Sequence, residues 1–208
     1  MAYGLAAVAG FVDAAGFLIT GGFFVSFMSG NSTRMGVGLV ESAASAGLAL
    51  SLIVAFVVGV SAGALVGRKA GTRRPPAVLA LVALSLAGAA ALASVSFAIP
   101  ATLVLAFAMG AENTVFAQDG EVRIGLTYMT GALVKLGKGV TTALLGGDRF
   151  GWAPYLLLWM GLVLGAAFGA LAFSLLGSGA LWIAAGLMTV LSALSTGLRL
   201  DDPASAAA

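Results

Sequence analysis

Long stretches of this chain carry no charge at all. Leu48–Gly67, Ala77–Phe97, Ala153–Leu176 and Leu181–Leu198 pass without an Asp, Glu, Lys or Arg, while Ala2–Thr20 and Ala101–Gln118 hold one acid each, Asp13 and Glu112. Apolar runs of about 18 residues or more read as membrane-spanning helices. Only 9% of the 208 residues are charged, against about a quarter in a soluble domain, so the chain cannot cover itself for water. The expectation is an all-α integral membrane protein with several spans. The first run lacks a basic segment before it and has further spans behind it, so it is not read as a cleaved signal peptide.

Cysteine and histidine are both absent. Disulfides, thiolate nucleophiles, Cys/His metal sites and imidazole acid–base chemistry therefore have no residues to use. The chain also lacks a Walker-type Gly-Lys-Ser/Thr loop and a dinucleotide fingerprint. The expectation is no enzyme, no cofactor, no metal and no nucleic-acid partner. The net charge of +2 needs no anionic macromolecule, because bases in loops orient a membrane protein.

A stretch near the start recurs one half-chain later. Phe27-Met28-Ser29-Gly30, then Arg34 and Gly36, matches Tyr128-Met129-Thr130-Gly131, then Lys135 and Gly137, at one constant spacing. Gly10 and Asp13 align with Gly110 and Asn113, and the stripe Gly59/Gly63/Gly67 aligns with Gly161/Gly165/Gly169. Three matches in register imply an internal duplication: 1–98 as the first membrane repeat, 99–200 as the second, and 201–208 as a polar tail. Within each half, a β-prone apolar run is expected to break at Gly30 or Gly131 and to resume as a helix, the first over about Ser32–Ala44.

Charge placement bears on topology. If each broken stretch enters the membrane and returns, each half has three full spans and the second repeat is inverted relative to the first. The loop Arg68–Pro76 holds four of the ten bases and is cytoplasmic under the positive-inside rule. Both termini then lie in the cytoplasm, with Arg123, Arg149 and Arg199 on the same side. If the broken stretches cross instead, there are eight spans and parallel repeats, and Arg149 and Arg199 fall outside. The charges favour two inverted repeats of three helices, each with a discontinuous, re-entrant half-helix.

Such breaks place chemistry near the bilayer midplane. A helix that starts inside a low-dielectric slab exposes unpaired N–H groups and a positive dipole end, tolerable only in protein or beside a wet cavity. The substrate-binding candidates are Ser29, Gly30, Asn31, Ser32, Thr33 and Arg34 at one break and Thr130, Gly131 and Lys135 at the other. Thr127 is a further polar group beside the second. Ser, Asn and Thr at a helix start also serve as caps, and a base there also snorkels to a headgroup; sequence leaves both readings open. Asp13, Glu112 and Asn113 are candidates for coupling or gating, since an acid within a span is costly without a partner or a task. An ion pair of Asp13 with Arg34 or Lys135 is the structural alternative. Of the acids, Glu112 is the better proton carrier, because Asn113 and not Glu112 is the counterpart of Asp13. The glycine stripes predict close helix packing, either against each other or as a homodimer seam.

With Gly10-Phe11-Val12-Asp13, Met28-Ser29-Gly30-Asn31, Gly110-Ala111-Glu112-Asn113 and Tyr128-Met129-Thr130-Gly131, the chain resembles the YoaK-like family of bacterial multi-pass membrane proteins, carried as a domain of unknown function. The resemblance covers nearly the whole chain. It implies a bacterial inner-membrane protein and supplies no substrate. The family pattern has Gln where this chain has Glu112. The run Phe27–Gly38 is also similar, locally, to the anion-binding half-helix of the sulfate-permease and prestin-type transporters.

The functional expectation is a secondary transporter of a small anion or carboxylate-bearing metabolite, bound between the two half-helix starts, with the lipid bilayer and that solute as partners. A channel on the same frame and a non-transporting scaffold or partner subunit are the alternatives.

Overall fold

The computed structural model describes residues 1–118, 121–122 and 127–197. The loop Asp119–Arg123, apart from the two-residue strand noted below, the start of the second broken stretch at Ile124, Arg199 and the tail 201–208 lie outside the described residues. Eight helices are described: α1 (Ala2–Thr20), α2 (Met28–Glu41), α3 (Ala43–Ala70), α4 (Arg74–Ser94), α5 (Ala98–Glu112), α6 (Met129–Leu144), α7 (Ala153–Leu176) and α8 (Ala180–Gly197). Two-residue strands, β1 (Ala117–Gln118) and β2 (Glu121–Val122), pair antiparallel between α5 and α6.

Three helical stretches are long and apolar enough to cross a bilayer: Ala2–Thr20, Ala43–Ser94 and Ala153–Gly197. The second and third are each two helices, α3–α4 and α7–α8, joined by a single 3-10 turn, and α5 is a shorter apolar helix. Both joins use the same device, since Gly71 and Gly177 follow α3 and α7 with φ of 57° each, a left-handed setting that glycine adopts without strain. Pro75 and Pro154 sit in the first turns of α4 and α7, where the missing N–H costs nothing. Ser42 alone separates α2 from α3, and its side chain caps α3 by accepting from the Ser45 N–H at 3.3 Å.

The pairing of helices is unchanged when α1–α4 are exchanged with α5–α8. α1 packs on α7 as α5 packs on α3; α2 on α3 as α6 on α7; α4 on α5 as α8 on α1; and α4 meets α8. The glycine stripes make the closest of these contacts, but not with each other. A Cβ at Gly59 would strike the Phe107 carbonyl and one at Gly110 the Phe56 carbonyl; in the other pair, Gly165 would strike Ala7 and Gly10 would strike Leu162. Each half's first helix is thus seated on the other half's third helix, with backbones in contact as small-residue packing allows. The stripes pack on helices within the chain, which corrects the expectation that they meet each other.

Two of the boundaries that differ from the sequence reading bear on the site. α2 begins at Met28 rather than near Ser32, and α5 ends at Glu112, with Asn113–Phe116 in turns. The break therefore precedes Met28 and Met129, and Gly30 and Gly131 lie within the first helical turns. Gly30 is small for a different reason: a Cβ there would come within 2.9 Å of Phe24 and 2.5 Å of Phe27.

Candidate functional site

The segment between α1 and α2 is irregular backbone, so each buried N–H in it needs a partner. Five successive amides have one. The Gly22 N–H donates to the Phe17 carbonyl at 2.9 Å, and the Phe23 N–H to Thr20 Oγ1 at 2.9 Å. The Phe24 N–H donates to Asn31 Oδ1 at 3.0 Å, while Asn31 Nδ2 returns a bond to the Phe24 carbonyl at 2.7 Å. The Val25 and Ser26 N–H groups both donate to Asp13 Oδ1, at 2.9 and 2.7 Å. Side chains on the flanking helices thus replace the ladder that a helix would have supplied, which is what makes non-helical backbone tolerable among apolar helices.

The second half uses the same plan. Asn113, at the position equivalent to Asp13, accepts from the Thr127 N–H at 3.4 Å; its Nδ2 donates to Thr127 Oγ1 at 3.0 Å and to the Met109 carbonyl at 2.9 Å. Asp13 and Asn113 thus do one job, holding the backbone just before a half-helix. Asp13 is turned to amides and not to Arg34 or Lys135, so the ion pair entertained from sequence does not form among the described residues.

Neither α2 nor α6 is capped by a side chain. The N-cap residues are Phe27 for α2 and Tyr128 for α6, and neither start has a side-chain cap bond. First-turn N–H groups of a regular helix lack intrahelical partners; here the Gly30 N–H donates to the Phe27 carbonyl at 3.1 Å and the Met129 N–H to the Thr127 carbonyl at 2.9 Å. The two starts border one cavity of about 270 Å³, lined by Ser26–Ser29 from the first half, Thr127–Gly131 from the second, and Phe56 of α3. The break points of the two halves meet.

Only some of the sequence candidates take part. Ser29, Thr130 and Gly131 line the cavity. Gly30 packs against Phe24 and Phe27, and Asn31 is wholly buried in its clamp on Phe24. Ser32 and Thr33 donate back along α2 to the Met28 and Ser29 carbonyls at 2.9 and 3.3 Å. Arg34 lies over the Phe23 ring at 5.1 Å and the Phe17 ring at 6.0 Å, and Lys135 over the Tyr155 ring at 5.6 Å. Both cations are therefore off the lining. Glu112 is fully buried, and neither of its carboxyl oxygens has a hydrogen-bond partner. No group of three or more His, Cys, Asp or Glu that could hold a metal occurs among the described residues.

The lining residues that sequence reasoning passed over are Ser26, Phe27, Met28, Phe56, Tyr128 and Met129. Four of them carried a signal, since the aromatic–Met pair repeats with the same spacing as the Ser/Thr–Gly that follows it. Phe56 lies in an unbroken apolar run and had none.

Comparison with known proteins places these observations in a wider set. Residues 1–194 match the family model described as "Protein of unknown function (DUF1275)". The chain is 37% identical over 177 residues to "UPF0700 transmembrane protein RA0705" of Rhizobium meliloti (strain 1021), an alignment covering 85% of this chain and 76% of that protein. No solved structure matches.

Proposed function

The chain belongs to the DUF1275 family of unknown function and is a membrane protein; from that premise we propose that it is a secondary transporter of a small anion or carboxylate-bearing metabolite. The observation that carries the proposal is the pair of uncapped half-helix starts bordering a single cavity. Each helix N-terminus is worth about half a positive elementary charge, and two of them facing one volume match one negative charge. The cations Arg34 and Lys135 add to the potential from behind aromatic rings and do not touch the ligand. A monoanion therefore suits the site better than a multiply charged one.

Size supports the same class. A cavity of about 270 Å³ lies just below the range of about 300–1,000 Å³ that suits drug-sized ligands, leaving room for an oxyanion or a short carboxylate. The Ser29 and Thr130 hydroxyls are placed to bond it, and Phe27, Tyr128, Phe56, Met28 and Met129 give an apolar wall for a carbon chain.

The exchangeable helix pairing supports an alternating-access frame. Three apolar elements per half (α1, α3, α4 and α5, α7, α8), of which α5 with its 15 residues is the shortest, with the more polar α2 and α6 returning to their side of entry, form two inverted repeats, the arrangement in which one repeat rocks against the other about a fixed site. In this topology the Arg68–Arg74 loop and both termini are cytoplasmic, in a bacterial inner membrane.

The test is uptake of radiolabelled short monocarboxylates into proteoliposomes holding purified protein. The expected result is saturable uptake accelerated by the same solute preloaded inside. Flux that rises linearly with concentration and ignores the preload would mean a channel, and no flux with any small anion would end the transport reading.

A further inference from the structure

One acid in the membrane frame has no structural duty. Asp13 holds two amides, whereas Glu112 is fully buried with both oxygens unbonded. Its counterpart in the first half is Val12, also fully buried, so the fold does not need an acid at this position. A bare carboxylate in such a place is costly, and the cost persists only where a bound cation relieves it. A metal or alkali cation needs a cage of oxygen ligands, and no polar atom among the described residues is bonded to Glu112. A proton needs none.

Taking the cavity as an anion site, the reading proposed above on which this step rests, we propose that Glu112 is the proton-binding residue of an electroneutral proton–monoanion symport. Glu112 precedes Asn113, whose Nδ2 bonds Thr127 Oγ1 at 3.0 Å, and Thr127 lines the cavity, so Asn113 and Thr127 link Glu112 to the cavity wall. An ionised Glu112 opposes an anion there and a neutral one does not, so proton and anion enter together, which is symport and not exchange. The balance is simple: one proton adds to the carboxylate on the side where the anion loads and leaves it on the side where the anion unloads, moving no net charge.

Charges on the helices packed against α5 do not replace the proton. α1 carries Tyr3 and Asp13, α3 carries Arg68 and Lys69 in its last turn, and α4 carries Arg74 in its first. Asp13 faces the Val25 and Ser26 amides, Arg68 and Lys69 are exposed, and the Arg74 side chain packs at Gly67.

The test uses a labelled monoanion of a strong acid, methanesulfonate, which has no neutral form to cross the bilayer unaided, in proteoliposomes read against protein-free liposomes, with two driving forces applied separately. A pH gradient, acid outside, is expected to drive accumulation in the wild type, and a potassium diffusion potential at equal pH is expected to drive none. Glu112→Gln is expected to keep counterflow exchange, which also shows that it is folded, and to lose accumulation under the pH gradient. Wild-type accumulation that follows the potential and ignores the pH gradient overturns the proposal while leaving the anion site intact. So does Glu112→Gln accumulating like the wild type, or losing counterflow while eluting as a folded monodisperse protein. Absence of saturable flux in the wild type is the separate failure, that of the cavity as a transport site.

Discussion

Substitutions at Asp13 separate an acceptor that holds backbone from a carboxylate that must titrate. Its Oδ1 takes the N–H groups of Val25 and Ser26 at 2.9 and 2.7 Å, and both of those residues are buried. Asp13→Ala removes the acceptor and strands two donors at about 1–3 kcal/mol each, so it is expected to cost about 2–6 kcal/mol. Asp13→Asn keeps an oxygen in place and loses only the charge assistance, since bonds to charged groups contribute about 1.5–3 kcal/mol against about 0.5–1.5 for neutral ones. Its expected cost is about 1–3 kcal/mol, and the second half has an amide in the matching place, where Asn113 accepts the Thr127 N–H at 3.4 Å. The assay is equilibrium unfolding in mixed micelles, paired with counterflow in proteoliposomes. The expected order is wild type, then Asp13→Asn, then Asp13→Ala, with Asp13→Asn still transporting. Asp13→Asn as unstable as Asp13→Ala, or stable yet unable to couple flux to a pH gradient, would refute the reasoning, because the charge or the proton would then be what Asp13 supplies.

Asn31→Ala opens the clamp on Phe24 and leaves both its N–H and its carbonyl unpaired; a loss of about 1–3 kcal/mol for each group should lower the unfolding midpoint as Asp13→Ala does. Gly165→Leu drives a side chain into the Ala7 backbone, whereas Gly186 has open space around it. The first is expected to unfold or aggregate the protein on size-exclusion chromatography, and Gly186→Ala to be neutral or to stabilise by up to about 1 kcal/mol. Ser29→Ala and Thr130→Ala remove hydroxyls from the cavity wall and are expected to raise KM about 2- to 10-fold each, the worth of one neutral hydrogen bond. Arg34→Gln, off the lining, should raise it less than either; a larger effect from Arg34→Gln would show that the cation reaches the substrate.

The apolar helical plan of this chain was legible because hydropathy is a regular signal. α1 and α7 run over Ala2–Thr20 and Ala153–Leu176, the limits that the apolar runs predict, and the counterparts Asp13 and Asn113 do equivalent work. The helix starts were not legible. Gly30 reads as a breaker, but the start at Met28 is set by Asp13, a helix away, and by Asn31, reaching back to Phe24; non-local bonds of this kind leave no local pattern. The cations were misplaced for a related reason. A base in the first turns of a half-helix suggests a ligand, but Phe17, Phe23 and Tyr155 present ring faces that hold it elsewhere, and ring orientation is a property of the packed structure. The glycine spacing predicted close approach and could not name the partner, since i, i+4 stripes are the same whichever helix they meet.

What the two halves retain and what they let vary separates scaffold from chemistry. Where the fold needs an oxygen to hold an amide, both halves have one, but one uses an acid and the other an amide, so charge is not what the fold requires there. Where the fold needs bulk in the core, Val12 fills it in one half and Glu112 in the other, so an acid is not required there either. Asp13 is an acid with a structural use; Glu112 is an acid at a place where structure has shown that it can do without. A cost carried at Glu112 and absent at Val12 is maintained by something outside packing, and two helix starts around one cavity are where such a charge would act. The asymmetry of Glu112 against Val12, set in a frame whose helix pairing is otherwise exchangeable, is for that reason a better guide to mechanism than any residue the two halves share.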